Sequence, residues 1–247
     1  MDIEYNNRIL SYYKECITFI EPIGLKIEEK YKFNTPQPIL VCNDLLFRIR
    51  CNILSLVQLG AINNFNSVAH RIIIRNIHAD LILGLYLLTC TDDERADEIG
   101  RQNNEAVKSL EQWVISKKEF YENLPKGEPL NIFIDDFYNK YKEYIDEATG
   151  KIKSGKGTNG TSIKQLSQRL RGSKILALQK LEQLNTNYKL LSLTEHYHPI
   201  TRRHSFNFEE DKLILEDFVK WMTAGVYMLT EIAKEWVDTG TFVITET

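Results

Sequence analysis

The stretch VAHRIIIRNIHADLILGLYLL occupies residues 68–88 and is strongly apolar, with its longest uncharged run from Leu81 to Leu88. A helix that crosses a bilayer needs roughly 20 consecutive apolar residues, and arginine, histidine and aspartate interrupt this stretch. We therefore expect no membrane span here. The spacing predicts instead an apolar helix that faces the interior of a helical protein.

Helical periodicity continues on both sides of this stretch over nearly the whole chain. The predicted helices cover residues 3–31, 39–59, 67–89, 92–118, 130–148, 162–193 and 208–238. A break is expected in the first of them near Pro22 and Gly24, and the C-terminal tail is compatible with a short strand. Thr91 or Asp92 is the expected N-cap of the fourth helix. The predicted fold is all-α, a multi-helix bundle that forms a single domain over residues 1–247.

One segment breaks this pattern, because TGKIKSGKGTNGTS, residues 149–162, holds four glycines and no aromatic residue. Such a composition predicts a flexible loop or an insertion between helices. Its centre, GKIKSGKG, comes close to the phosphate-binding pattern G-x-x-x-x-G-K-[ST], but Gly157 replaces the hydroxyl residue that would hold magnesium. A helix rather than a strand is also predicted before it, so we exclude a P-loop NTPase.

Charge is distributed unevenly along the chain, whose net charge is -3. Residues 149–204 carry seven lysines and four arginines against two glutamates, a net charge of +9, so the remainder carries -12. A basic segment of this kind binds phosphate groups by releasing counterions, or it forms a solvated surface. The first interpretation predicts RNA or another phosphate-bearing ligand as a partner, and the second predicts none.

Four cysteines are scattered through the chain and never form a C-x-x-C pair. This usage is typical of buried, reduced thiols in a cytoplasmic protein. The first residues show no basic region followed by an apolar one, so no signal peptide is expected. The sequence indicates no cofactor.

Two arginines and a histidine interrupt the apolar helix at helical spacing. At about 100° per residue, Arg71, Arg75 and His78 fall within a stripe roughly 60° wide, which Ile82 and Leu85 continue. Unpaired charge inside a protein is costly, so these side chains require either acidic partners or backbone carbonyls, or else an anionic ligand such as a phosphate. In the second case Arg71 and Arg75 bind the anion, and His78 is a candidate catalytic acid or base.

The stretch EHYHPITRRHSF, residues 195–206, holds three histidines and two adjacent arginines: His196, His198, His204, Arg202 and Arg203. The histidines could serve as zinc ligands, but no cysteine pair or His-Glu-x-x-His helix accompanies them, so no metal site is predicted. Alternatively, one of the first two histidines is a general acid or base while an arginine stabilises an anion. The third interpretation is a polar loop after a helix that ends at the proline.

Two patches of the chain resemble a bacterial family of uncharacterised helical proteins, a domain-of-unknown-function group. One patch is the apolar helix with its internal arginine, and the other is YKLLSLTEHYHP, residues 188–199. The second patch follows the pattern Tyr, three residues, Ser and then His, which Tyr188, Ser192 and either His196 or His198 supply. The resemblance implies no settled activity. Some members belong to mobile or defence-associated gene sets, which makes a partner protein an expectation.

The apolar helix is also similar, more loosely, to the HEPN helical domains, many of which are metal-independent ribonucleases. Their motif is Arg, then four to six residues of which the first is usually polar, then His. Six residues separate Arg71 from His78, but Ile72 occupies the polar position. Arg75 and Asn76 have the correct opening, yet no histidine follows at the expected spacing.

We therefore expect one of two functions. The first is a helical module of a defence or mobile-element system that binds an anion or nucleic acid through the Arg71/Arg75/His78 stripe. The second is a metal-independent ribonuclease or toxin, in which His78 or His198 acts on a ribose 2′-hydroxyl and arginines stabilise the charged transition state. A homodimer is compatible with either function.

Overall fold

The computed structural model describes residues 3–31, 36–61, 68–123, 131–154, 160–173, 175–195 and 208–240. These residues form nine α-helices: α1 (Ile3–Tyr31), α2 (Gln37–Ala61), α3 (Val68–Thr89), α4 (Asp92–Glu122), α5 (Asn131–Lys140), α6 (Ile163–Arg171), α7 (Leu176–Lys180), α8 (Glu182–Glu195) and α9 (Phe208–Thr239). A 3-10 helix spans Lys142–Tyr144. Within the described ranges the only β pairing is one isolated bridge between Ile145 and Ile152. The predicted all-α multi-helix bundle is therefore confirmed.

Two helix predictions differ from the structure. The break expected near Pro22 is absent, since α1 continues through the proline. Proline removes one backbone hydrogen bond, but the neighbouring Ile20, Ile23 and Ile27 are buried and hold both halves of the helix in the core. The helix predicted over residues 130–148 ends at Lys140 and is followed by the short 3-10 helix. The helices predicted over residues 162–193 are α6, α7 and α8. The tail predicted as a strand lies after residue 240, outside the described residues.

The described residues group into two compact units, and the predicted single domain over residues 1–247 stays a prediction. Unit 1 comprises the described parts of Met1–Cys90 and Ile163–Thr247, and unit 2 comprises those of Thr91–Ser162. In unit 1, α3 packs against α2, α6, α8 and α9, while α1 packs against α2 and α9. The stretch from which the fold was predicted thus supplies the central helix of unit 1.

Close helix packing in unit 1 depends on α3 and on a glycine of α9. Ile74, Ile77 and Leu81 of α3 have no exposed surface. A Cβ added at Gly225 would lie 2.9 Å from Cδ1 of Leu81, closer than ordinary carbon contacts. By length and composition Ala69–Thr89 would be able to cross a membrane, but 61% of its most apolar window is buried inside the protein. Buried core helices meet that criterion as well.

Unit 2 has its own small core and a defined first turn. Val107, Phe137 and Ile152 form this core. The N-terminus of α4 is a capping box: the Thr91 hydroxyl accepts a hydrogen bond from the Glu94 backbone N–H (3.4 Å), and the Glu94 carboxylate accepts one from the Thr91 N–H (3.1 Å). The prediction of Thr91 as an N-cap residue is confirmed.

The described residues of the Gly/Lys-rich segment are attached to α4. After the 3-10 helix the chain reverses through a turn in which Gly150 has a φ of +65°, a conformation that favours glycine. The Asn104 amide then donates to the Lys153 carbonyl oxygen (3.0 Å). On the other side, Glu105 accepts from the Gly160 N–H (2.7 Å) and Glu98 from the Thr161 N–H (3.0 Å). The described residues 149–154 and 160–162 are non-helical, and residues 155–159 lie outside the described ranges. The flexible loop or insertion over residues 149–162 stays a prediction.

Candidate anion-binding site

The site centres on Arg75, which extends from α3 to two side chains one turn apart on α8. Its Nε donates to the Ser192 hydroxyl oxygen at 2.9 Å, and its Nη2 donates to the Tyr188 hydroxyl oxygen at 3.2 Å. The guanidinium carbon lies 4.9 Å from the centroid of the Tyr188 ring, so the cation also stacks on the aromatic face. We call Arg75, Tyr188 and Ser192 the α3–α8 cluster.

The cluster orients its arginine with neutral groups. The Ser192 hydroxyl donates to the Tyr188 backbone carbonyl (2.7 Å), so its lone pairs are left to accept from Arg75. Neither hydroxyl carries charge, and these contacts fix the plane of the guanidinium. Arg75 is half-buried. A fixed, charged and partly accessible guanidinium is suited to binding a phosphate or carboxylate.

His78 lies near Arg75 in sequence but points to another helix. Its side chain is fully buried, and its Nε2 is 3.2 Å from the Phe218 carbonyl oxygen of α9. A carbonyl can only accept, so Nε2 carries the proton, and Nδ1 has no hydrogen-bond partner in the described part of the chain. Burial lowers the pKa of His78 from 6.5 to about 4. His78 is therefore a neutral packing residue in this arrangement, and its predicted acid–base role stays a prediction.

Arg75 and His78, which the sequence places in one stripe, thus contact different helices. Arg75 faces α8 and His78 faces α9, although the two side chains are only about 60° apart around the helix. Arg71, one turn before Arg75, is half-buried. The remaining predicted site residues lie outside the described ranges: His196, His198, Arg202 and Arg203.

Sequence reasoning missed a second arginine–tyrosine pair on the same central helix. Arg169 of α6 donates to the Tyr86 hydroxyl oxygen at 2.5 Å, and its guanidinium carbon lies 5.3 Å from the centroid of that ring. Tyr86 is buried. The pair joins α3 to α6 across 83 residues of sequence, and neither residue lies in a pattern that would identify it. It places another cation of the basic segment beside α3.

Two clefts among the described residues are less suited to an anion. One, of about 310 Å³ in unit 2, contains Arg101, which is paired with Asp97, and Lys153, whose ammonium donates to the Glu143 carbonyl oxygen at 2.7 Å. The other, of about 440 Å³ in unit 1, is lined largely by apolar and acidic side chains of α1 and α2. In the portion of the chain that the structure describes, no three His, Cys, Asp or Glu side chains are grouped to hold a metal ion.

Comparison with known proteins assigns neither a family nor a function to this chain. No family model, curated protein or solved structure matches this chain. The resemblance to a bacterial helical family stays a prediction, although its two sequence patches, α3 with Arg75 and α8 with Tyr188 and Ser192, are in contact in the fold. The function must therefore be argued from the α3–α8 cluster itself.

Proposed function

We propose that this protein binds a phosphate-bearing ligand, a nucleotide or a nucleic acid, at the α3–α8 cluster. The observation that supports the proposal is the geometry of Arg75. Two neutral hydroxyls and a tyrosine ring hold its guanidinium in place. Arginine binds phosphate through parallel N–H groups in one plane. A guanidinium that is already fixed loses less side-chain entropy on binding.

The charge of the surrounding sequence supports the same ligand class. Helices α6, α7 and α8 belong to the segment of net charge +9, in a chain whose total is -3. Arg202 and Arg203 follow α8 by a few residues, and we assign them to the same anion as further phosphate contacts. Basic side chains that neutralise phosphates make affinity fall steeply with salt. The proposal therefore predicts salt-dependent binding.

The first test measures binding of fluorescent single-stranded RNA and of labelled nucleotides by fluorescence anisotropy. We expect Arg75→Gln to weaken binding by about 10- to 100-fold, because a hydrogen bond to a charged group contributes about 1.5–3 kcal/mol. The matched control is Arg50→Gln, which removes an arginine of α2 that pairs with Glu21 on the surface. Equal binding by both variants, or no binding by the wild type at low salt, would contradict the proposal.

A second candidate function is cleavage of RNA without a metal ion. Its support is sequence adjacency, because Ser192 of the cluster precedes His196 by four residues and His198 by six. In this case Arg75 stabilises the phosphate while one of these histidines transfers the proton of the ribose 2′-hydroxyl. His78 is left out because it is fully buried.

The cleavage assay uses purified protein, labelled RNA and a chelator. The proposal expects cleavage that survives the chelator and falls by about 100-fold or more in His198→Ala or His196→Ala. Binding without cleavage would support the binding module alone. Cleavage that both histidine variants retain would remove this mechanism.

A further inference from the structure

A groove on unit 1 is formed by α1 and α2, two helices that take no part in the α3–α8 cluster. This is the cleft of about 440 Å³, and we call it the α1–α2 groove. The buried Ile20 and Leu46 line its base, and Leu25 and Phe47 line it as well, with 62% and 64% of their surfaces exposed. A concave surface that keeps large apolar side chains exposed is typical of a site that binds another molecule.

Open space lies above the backbone of α1 at Gly24, which lines the groove. An added Cβ there would meet no heavy atom within 4 Å. Glycine destabilises a helix interior relative to alanine, and none of the described neighbours comes close enough to require a glycine at this position. The space above Gly24 is thus open to a side chain from another molecule.

The two helices run in opposite directions along the groove. Only residues 32–36 separate α1 from α2, and helices with so short a connection pack as antiparallel neighbours. Arg50 of α2 pairs with Glu21 of α1 at 3.0 Å, and both line the end of the groove that is farther from the connection. Along α1 the groove extends from Ile20 to Glu28, a distance of about 12 Å. It is long enough to receive two turns of a third helix.

The end of the groove that is nearer the connection is acidic. Glu28 is three residues before the end of α1, and Asp44 is seven residues after the start of α2. Both residues are exposed, and neither forms an ion pair with a described residue. With Glu21 and Arg50 included, the groove carries three carboxylates and one guanidinium, a net charge of -2. Complementary charge selects partners and orients them, so a partner must carry positive charge at this end.

We propose that the α1–α2 groove binds an amphipathic helix of a partner protein, with its apolar side chains in the groove and a lysine or arginine beside Glu28 and Asp44. This inference is independent of the proposed function. Amphipathic helices bind such grooves through apolar residues at positions i, i+3 or i+4, and i+7. Positions i and i+7 are about 10 Å apart along a helix, which matches the length of the groove. An acidic helix would place its carboxylates against Glu28 and Asp44 and is therefore disfavoured.

The first test measures the binding of three labelled model peptides to the full chain by fluorescence anisotropy. Each peptide has about 16 residues, long enough for an alanine-rich helix. The lysine–leucine peptide carries leucines at i, i+3 and i+7 and lysines in its last turn. The second peptide replaces the lysines by glutamates, and the third replaces the leucines by alanines. We expect the glutamate peptide to bind about 5- to 30-fold more weakly than the lysine–leucine peptide, the effect of one or two exposed ion pairs, and the alanine peptide not to bind.

Two variants locate the peptide in the groove. Gly24→Leu fills the open space, so we expect it to abolish binding while its thermal midpoint, Tm, stays at or above that of the wild type. Phe47→Ala removes an exposed ring of the groove and should weaken binding by about 10-fold or more. Leu213→Ala is the matched control, because Leu213 is an exposed apolar residue of α9 that does not line the groove.

Two further variants test the acidic end. Asp44→Asn and Glu28→Gln should each weaken binding of the lysine–leucine peptide by about 2- to 5-fold, without weakening binding of the glutamate peptide. Glu29→Gln is the matched control, because Glu29 is the exposed neighbour of Glu28 and does not line the groove.

Three results overturn the inference: no binding of the lysine–leucine peptide, equal binding of the lysine and glutamate peptides, or binding that Gly24→Leu and Phe47→Ala both retain. Sedimentation equilibrium tests a second copy of the chain as the occupant. A wild-type dimer that Gly24→Leu converts to a monomer overturns the partner helix in favour of self-association. A wild-type monomer that binds the lysine–leucine peptide supports the partner helix.

Discussion

Replacing His78 tests whether burial keeps this histidine neutral. The side chain is fully buried, and Nε2 hydrogen-bonds the Phe218 carbonyl oxygen. The perturbation is His78→Gln, which keeps an N–H donor and cannot titrate. We predict that the wild type loses stability relative to this variant as the pH falls from 7.5 to 4.

The magnitude follows from the two pKa values of His78. Burial lowers the pKa from 6.5 to about 4, and each pH unit between the folded and unfolded values is worth about 1.4 kcal/mol. Between about pH 6.5 and 4, His78 is therefore protonated in the unfolded chain and neutral in the folded chain. The contribution of His78 to the free energy of unfolding is fully present above pH 6.5 and is lost as the pH falls. The total loss is about 3 kcal/mol by pH 4, of which about 2 kcal/mol is lost by pH 5.

Urea denaturation of both proteins at pH 7.5, 6, 5 and 4 measures this loss. The free energy of unfolding of the variant is subtracted from that of the wild type at each pH, which removes groups that titrate in both. Ile77→Val is the matched control, because it changes the neighbouring buried residue and introduces no titration. A difference that stays constant over the whole pH range would refute the assignment of His78 as a buried neutral residue.

Two further predictions concern packing and charge in unit 1. Gly24→Ala should raise the free energy of unfolding by about 0.5–1 kcal/mol, since an added Cβ meets no atom within 4 Å. Gly225→Ala should lower the free energy of unfolding by about 1–3 kcal/mol, because its Cβ would lie 2.9 Å from a buried leucine methyl. Equal effects of the two substitutions in urea denaturation would contradict this packing. Arg48→Gln should cost about 1–3 kcal/mol, because it removes the hydrogen-bond partner of Asp80, whose side chain is 8% exposed. Arg50→Gln should cost less than about 1 kcal/mol. The double variant Arg48→Gln with Asp80→Asn should regain stability, and its failure to do so would show that the cost of Arg48→Gln does not come from an unpaired buried carboxylate.

Helical periodicity was sufficient to predict the fold class and most helix positions. The first helix was expected over residues 3–31 and is Ile3–Tyr31, because its apolar residues recur with a clear period and tertiary packing agrees with it. At Pro22, by contrast, the sequence predicted a break that the structure does not have. The cost of a proline is local, and the buried isoleucines around it outweigh that cost.

The candidate site was predicted only in part. Arg75, Tyr188 and Ser192 were each noted in the sequence, but their contact spans more than 110 residues and follows from the packing of α3 on α8. The helical stripe placed Arg75 and His78 together because their angular difference is small. In a crowded core that difference suffices to direct one side chain to α8 and the other to α9.

The pairing of α1 with α9 has a consequence for how the chain is made. Tyr5 and Arg8 of α1 form hydrogen bonds with Lys212 and Glu216 of α9, more than 200 residues later. Contacts this distant in sequence slow folding, because a long loop must close before they form. During synthesis the apolar surface of α3 is complete long before α8 and α9 leave the ribosome. Nascent unit 1 therefore exposes apolar surface until α9 is made, and we predict that truncation before α9 yields an aggregating product rather than a smaller folded protein.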